Sequence, residues 1–455
     1  MQAPFIHWIE NIREGSLEAP TRHPVNWKEK SFYDESLFFN ELERVFDICH
    51  GCRRCVSLCT AFPTLFDLVD ESSTMEVDGV DKKDYWKVVD KCYLCDMCYL
   101  SKCPYVPPHE WNVDFPHLMM RGKAIKFKKG ESKVRDKVLS STDFMGKTLA
   151  KPVISNVVNS SNKNKIFRNL LDSTFKVHKH RDLPDYSAYT FRGKNNNTNT
   201  ITDPISPSTV PSKVVLFTTC YVNYNEPIIG EDFLKILNKN NIQHELLNSE
   251  VCCGMPKFEL GDLESVEKLA MKNLPLLSKY ANEGYAIISL VPSCTLMFKQ
   301  EIPLLFADNQ EFKKIAQQFY DPFSYLLALN KESLLSLDFK NDLGNISYHV
   351  PCHLRVQNIG LKTKELLELI PGTKVKTIER CSGHDGTWGI KTEFFKDSMK
   401  IGKPVFKAAE QFNPDYISSD CAIASRHIVQ GVRENSKKNI EKLHPISLMR
   451  LAYNL

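Results

Sequence analysis

The sequence predicts an α+β chain of two unlike parts: a helical N-terminal part organised around cysteines, and a C-terminal part in which one α/β unit is written twice. Three observations carry that reading. Eight of the 15 cysteines fall in two tight groups between positions 49 and 103. From Lys213 onward, short β-branched runs alternate with amphipathic helical stretches, the pattern of a parallel sheet with crossover helices. Several of those runs end in a cysteine, and equivalent cysteines return after roughly 130 positions, as they do in a duplicated unit.

In chain order, SFYDESLFFNELERVF (31–46) has the apolar spacing of a helix and delivers the chain to Cys49. An acidic, turn-rich connection (67–84, with Asp78 and Gly79) leads through Tyr85 to Val89 to the second group at Cys92. After Cys103, PYVPPHEWNVDFP (104–116) is too rich in proline for regular helix, since each proline removes a donor and restricts the residue before it. That segment is expected to wrap the cysteine site. Residues 117 to about 180 read as polar and basic helices. FRGKNNNTNTITDPISPSTVPS (191–212) reads as a linker. The expected domains are therefore 1–190, a linker over 191–212, a first repeat over 213–330 and a second over 331–455. In the first repeat VVLFTT precedes Cys220, a helix lies near Asp232 to Asn240, NSEVCCG carries Cys252 and Cys253, a helix runs from Leu263 to Asn282, and YAIISLV precedes Cys294. The second answers with ISYHVPC at Cys352, TIERCSG at Cys381 and PDYISSDC at Cys421. Ligand sites in open parallel sheets collect at the carboxyl ends of strands, so three loops per copy are expected to bring these thiols together.

Composition excludes several classes. Lysine plus arginine number 59 against 55 acidic residues, and a net charge of +4 over 455 residues does not mark a nucleic-acid binder. No stretch reaches the roughly 18 apolar residues of a spanning helix, and MQAPFIHWIENIREG lacks a secretory pattern, so a cytoplasmic protein is expected. Reducing conditions there keep thiols free, and clustered cysteines are more often metal ligands or catalytic groups than disulfides. The segment RGKAIKFKKGESKVRDK (121–137) is either a solvated helix or a docking face for an acidic partner or an anionic membrane, on the inner face of which the chain would then sit. The sequence has no dinucleotide fingerprint, P-loop or nucleophile elbow, so no catalytic residue is assigned.

The two N-terminal groups specify their chemistry. Cys49, Cys52, Cys55 and Cys59 form CxxCxxCxxxC; Cys92, Cys95, Cys98 and Cys103 form CxxCxxCxxxxCP. Three thiolates two residues apart wrap one cube of iron and sulfide, and a remote fourth closes it. In two-cluster ferredoxins that fourth cysteine belongs to the other group. The expected ligand sets for two [4Fe-4S] clusters are therefore Cys49, Cys52, Cys55 and Cys103, and Cys92, Cys95, Cys98 and Cys59. A pair of zinc knuckles is the competing reading, although structural zinc sites ordinarily carry two CxxC pairs separated by a long loop. His50, Arg53 and Arg54 flank the first group and are expected to tune its charge environment or face solvent.

VCCGMPKFELGDLESVEKL, SYHVPCHLRVQNIG and ERCSGHDGTWG together resemble the cysteine-rich CCG domain found in the B subunit of heterodisulfide reductase, in the C subunit of anaerobic glycerol-3-phosphate dehydrogenase, and in related iron-sulfur proteins of glycolate and lactate oxidation. The resemblance covers both parts of the chain and implies a ferredoxin-type two-cluster domain followed by tandem CCG domains. It assigns Cys220, Cys252, Cys253 and Cys294 to a first site, with Met297 where the fullest version of the family has a further cysteine. It assigns Cys352, Cys381 and Cys421 to a second, with Ser382 and Ala424 in place of cysteines. Either site is expected to hold a further Fe-S cluster, a zinc ion or nothing, and His353 or His384 could complete the second. The resemblance implies an electron-transfer subunit that takes electrons from a flavoprotein dehydrogenase or other redox protein and passes them to an acceptor such as a quinone. The alternatives are a disulfide reductase acting at the CCG site, and a zinc-stabilised docking module in the C-terminal half.

Overall fold

The computed structural model describes residues 19–101, 103–195, 209–247 and 249–455, which divide into two units, one ending at Ile125 and the other beginning at Lys126. The first unit is helical. Asp34 accepts from Leu37 N–H and starts α1 (Glu35–Cys52), whose Phe38, Leu42, Val45 and Phe46 recur on one face at helical spacing and are buried. They pack with the apolar faces of α2 (Ala61–Asp70) and α3 (Tyr85–Lys91); the Phe46 and Tyr85 rings lie edge to face at 5.2 Å. A short α4 (Met97–Ser101) carries Cys98, and α5 (Phe115–Lys128) begins where the Phe115 ring meets Phe62 at 4.6 Å. The proline-rich stretch before α5 is irregular, as its composition requires.

The second unit opens with α6 (Val134–Leu139), α7 (Thr142–Leu149), α8 (Pro152–Lys163) and α9 (Lys165–Phe175). Of the expected linker, residues 196–208 lie outside the described residues. Its start is a one-turn helix, α10 (Phe191–Lys194), whose Phe191 is wholly buried in the core of the first repeat. There β1 (Lys213–Leu216), α11 (Cys220–Tyr224), α12 (Pro227–Lys239), β2 (Gln243–Leu246), α13 (Met255–Leu260), α14 (Leu263–Asn282), β3 (Ala286–Ile288), α15 (Pro292–Leu296) and β4 (Phe319–Tyr320) build a parallel sheet of order β2-β1-β3-β4. The second repeat gives β5 (Asn345–His349), β6 (Lys374–Ile378), β7 (Tyr416–Ser419) and β8 (Glu441–Lys442) the same order and sense, β6-β5-β7-β8. The central strands β1, β3, β5 and β7 are mostly buried because helices cover them, and β1 and β3 read as apolar runs, while the edge strands β2, β6 and β8 are polar and partly exposed.

The unit boundary differs from the expected break at 190. Residues 126–190 pack against both repeats because their polar groups find partners there. Arg135 pairs with Glu393 at 2.8 Å, Val177 forms an antiparallel bridge with Lys391, and the buried Arg181 guanidinium donates to Gly389 O and Ser398 Oγ and meets His427. Toward the first repeat, Ser187 N–H donates to Tyr224 O at 2.8 Å and Asn225 Nδ2 to Asp185 O at 2.9 Å. The basic run 121–137 is accordingly not one solvated face: Arg121 donates to the backbone carbonyls of Phe32 and Ser31, and Arg135 is buried in its ion pair.

Candidate metal centres

The first cysteine group leaves the last turn of α1. Cys49 and Cys52 lie on the helix, and Arg53 ends it in the left-handed region with its N–H on Cys49 O, which turns the chain toward Cys55 and Cys59. The second group follows α3, with Leu94 and Asp96 also at positive φ, so alternate residues of the CYLCDMC loop hold a backbone that side chains rarely adopt. The loops meet. A cavity of about 20 Å³ is lined by Cys49, Cys52, Cys55 and Cys103 and walled by Ile48, Phe62, Phe66, Tyr105 and Val113. Three of its thiols come from one motif and the fourth from the other. Burial, and then the neighbouring Cys103, Cys55 and Cys52, push the Cys49 thiol well up.

The remaining four thiols are neighbours in the same sense. Cys59 is raised by burial and by Cys92 and Cys95, while the N–H groups of Ala61 and Phe62 at the start of α2 draw it down. Cys98 is raised by burial and then by Cys55, Cys95, Cys92 and Cys59, so it adjoins both sets. Burial pushes Cys92 up to about 12 against the pull of Lys123. Across the second loop lies a residue to which sequence spacing gives no clue: Arg22 donates to Asp96 at 2.6 Å and to Asp114 at 2.9 Å, with its guanidinium over the Tyr99 ring. Its partners are 74 and 92 positions away.

In the second unit the cysteines follow the strands at their carboxyl ends. Cys220 starts α11 after β1, Cys252 and Cys253 precede α13 after β2, and Cys294 lies in α15 after β3. These four thiols are electrostatic neighbours: Cys220 and Cys253 are the leading influences that hold Cys252 well below its ordinary pKa, and Cys294 acts in turn on Cys253 and Cys220. The second repeat places Cys352, Cys381 and Cys421 around a cavity of about 110 Å³ that also receives His353, His384 and His349, together with Tyr221 and Ser293 from the first repeat. Burial lowers His384 to about 3 and His349 to about 4, so both imidazoles are neutral, the form in which a histidine ligates metal, but the His349 ring is already engaged, with Nε2 on Arg380 O at 3.0 Å and Nδ1 on Ser419 Oγ at 3.2 Å. His427 is buried beside His384 and Phe406 and packs there. The two repeats share a local device: Gly254 N–H reaches Cys252 Sγ at 3.5 Å and Gly383 N–H reaches Cys381 Sγ at 3.3 Å, with both glycines at positive φ. A Cβ on Gly383 would collide with Ser398 O. Among the described residues, no three His, Cys, Asp or Glu side chains close on a single ion-sized point.

The cysteine-rich domain family, CCG, matches residues 214–299 and again residues 346–425. Both matches fall within the second unit. The chain is similar to the C subunit of anaerobic glycerol-3-phosphate dehydrogenase from Escherichia coli (strain K12), 29% identical over 75% of this chain and 82% of that protein. It is also similar to the B subunit of fumarate reductase (CoM/CoB) from Methanothermobacter marburgensis, 26% identical over 53% of this chain and 47% of that protein. Lactate utilization protein A of Bacillus cytotoxicus is 26% identical over 51% of this chain and 96% of its own length. The CCG domains and these relatives mark the chain as an iron-sulfur oxidoreductase. Within the first CCG domain, Met297 is fully buried with its methyl group toward Gly254; within the second, Ser382 takes the place of Cys253 beside the glycine turn. The donors present in the first copy, four neighbouring thiols with the Thr142 hydroxyl and Asp143 carboxylate at Cys252, suit an iron-sulfur group or zinc. The second copy has one thiol fewer, with His353 and His384 on its cavity wall.

Proposed function

We propose that this chain is the electron-transfer subunit of a redox enzyme, with one [4Fe-4S] cluster on Cys49, Cys52, Cys55 and Cys103 and another on Cys92, Cys95, Cys98 and Cys59 in a ferredoxin-type domain. The observation that carries this reading is the cavity that Cys103 shares with Cys49, Cys52 and Cys55, since cross-motif closure is what distinguishes an interlocked cluster pair from two separate knuckles. Clusters of this kind supply one-electron carriers over a wide span of potential. The chain's own part is to present thiolates, keep water from them with Phe62, Phe66 and Tyr105, and set local charge with Lys123, Arg22 and Asp96. The electron source is a flavoprotein dehydrogenase partner and the acceptor a quinone. The first CCG site holds a further iron-sulfur group, and the three thiols and three imidazoles of the second line the cavity open to an acceptor.

Peripheral contact with a membrane, where a quinone resides, has its own support. Val153, Val157, Ile166, Leu170 and Phe175 are exposed on α8 and α9, next to Lys151, Lys163, Lys165 and Lys176. Apolar side chains bordered by lysines suit an anionic bilayer surface. Among the described residues no helix is long and apolar enough to cross a membrane. Anaerobic purification with iron and sulfide counting tests the function. Roughly eight irons with matching sulfide are expected from the N-terminal pair alone, and more if the CCG sites are loaded; zinc without sulfide contradicts the reading.

A further inference from the structure

The turn that opens α7 lies outside both CCG matches, yet it reaches the first thiol site. The Thr142 hydroxyl donates to Cys252 Sγ at 3.4 Å, and the Asp143 carboxylate accepts the Cys252 N–H at 2.7 Å. Together with Gly254 N–H, two donors therefore point at one sulfur, and one of them comes from 110 positions upstream. Two further contacts fix α7 in place. Lys257 Nζ donates to Ser141 Oγ at 3.1 Å, and Gly146 lies so close to Tyr224 that a Cβ there would collide with its ring. Cys252 is itself buried, so a hydrogen bond to its sulfur acts in a medium of low polarity, where it counts for more than in water.

We infer that Thr142 is a positioning residue of the first CCG site, whose hydroxyl orients the Cys252 sulfur and raises the reduction potential of the iron-sulfur group held there. The inference rests on the reading that the site holds such a group. Reduction adds negative charge that is shared by the ligand sulfurs, and a donor aimed at one of them stabilises the reduced form more than the oxidised form. The effect belongs to Thr142 and not to the domain, because the residue reaches the site from outside it.

The test uses the full-length holoprotein, prepared without oxygen. Paramagnetic resonance during a redox titration follows the signal of the first CCG site, identified as the one that Cys294→Ala abolishes. Thr142→Val keeps the shape and removes the donor; Thr142→Ser keeps the donor. At a fixed potential, Thr142→Val is expected to shift the ratio of oxidised to reduced centre about tenfold toward oxidised, about 59 mV lower for one electron, with iron content unchanged. Thr142→Ser is expected to titrate with the parent. An unchanged midpoint in Thr142→Val with iron intact overturns the role of Thr142 and leaves the cluster reading standing. If Cys294→Ala removes neither iron nor any signal, the cluster reading of that site fails and the inference fails with it.

Discussion

Arg22 bridges Asp96, inside the second cysteine loop, and Asp114, at the approach to α5. Burial alone would raise the Asp114 carboxyl, but the charges of His117 and Arg22 and their hydrogen bonds outweigh it and hold the group well below the usual carboxylate range. Removing one member of a buried ion pair leaves a charge without compensation. Arg22→Leu is therefore expected to destabilise the first unit by about 3 kcal/mol and to speed cluster loss to a chelator, which denaturant titration and bleaching kinetics measure. The two N-terminal cysteine groups stand out in sequence because their spacing is local, with three thiols within a single turn or loop. Arg22 and Thr142 are not, because each acts on a partner at least 74 positions away that only the fold brings near. A lone arginine or threonine in a polar stretch carries no such signal.

At the scale of elements, the segment from α6 to Arg181 joins the repeats, and its link through Arg135 and Glu393 responds to pH. Burial would push Glu393 upward, but the Arg135 hydrogen bond and charge outweigh it and bring the carboxyl down from its ordinary 4.5 to about 2. The folded chain thus keeps Glu393 ionised where the unfolded chain would already bind a proton. Its contribution is complete above about 4.5 and is lost as pH falls toward 2. Thermal unfolding of the parent and of Glu393→Gln should differ at neutral pH, with the gap closing below about 4.5. A gap independent of pH would contradict the assignment. The β1 and β5 runs and the helix Leu263–Asn282 are readable from their apolar pattern, and the duplication from recurring cysteines. The two-residue strands β4 and β8 are not, since two residues have no periodicity. Nor is the break at Ile125: the composition of 126–190 is polar and basic, and its attachment to the repeats is made by scattered hydrogen bonds and ion pairs and not by an apolar stripe.

At the scale of the whole molecule, the proposed membrane contact and the proposed electron route have separate tests. Flotation with vesicles containing anionic lipid is expected to retain the full chain at low salt, to weaken as salt rises, and to fall off in Val157→Glu with Ile166→Glu. Binding indifferent to both would remove the membrane from the account. The route itself depends on the two N-terminal motifs exchanging their last cysteines, because that exchange ties both thiol sets into one domain. The decisive measurement is paramagnetic resonance of the reduced, oxygen-free protein carrying Cys52→Ala, Cys103→Ala or Cys95→Ala. The account predicts that Cys52→Ala and Cys103→Ala lose the same cluster signal and keep the one lost in Cys95→Ala. Loss of the Cys95 signal in Cys103→Ala, or a parent protein with no cluster signal at all, would contradict it.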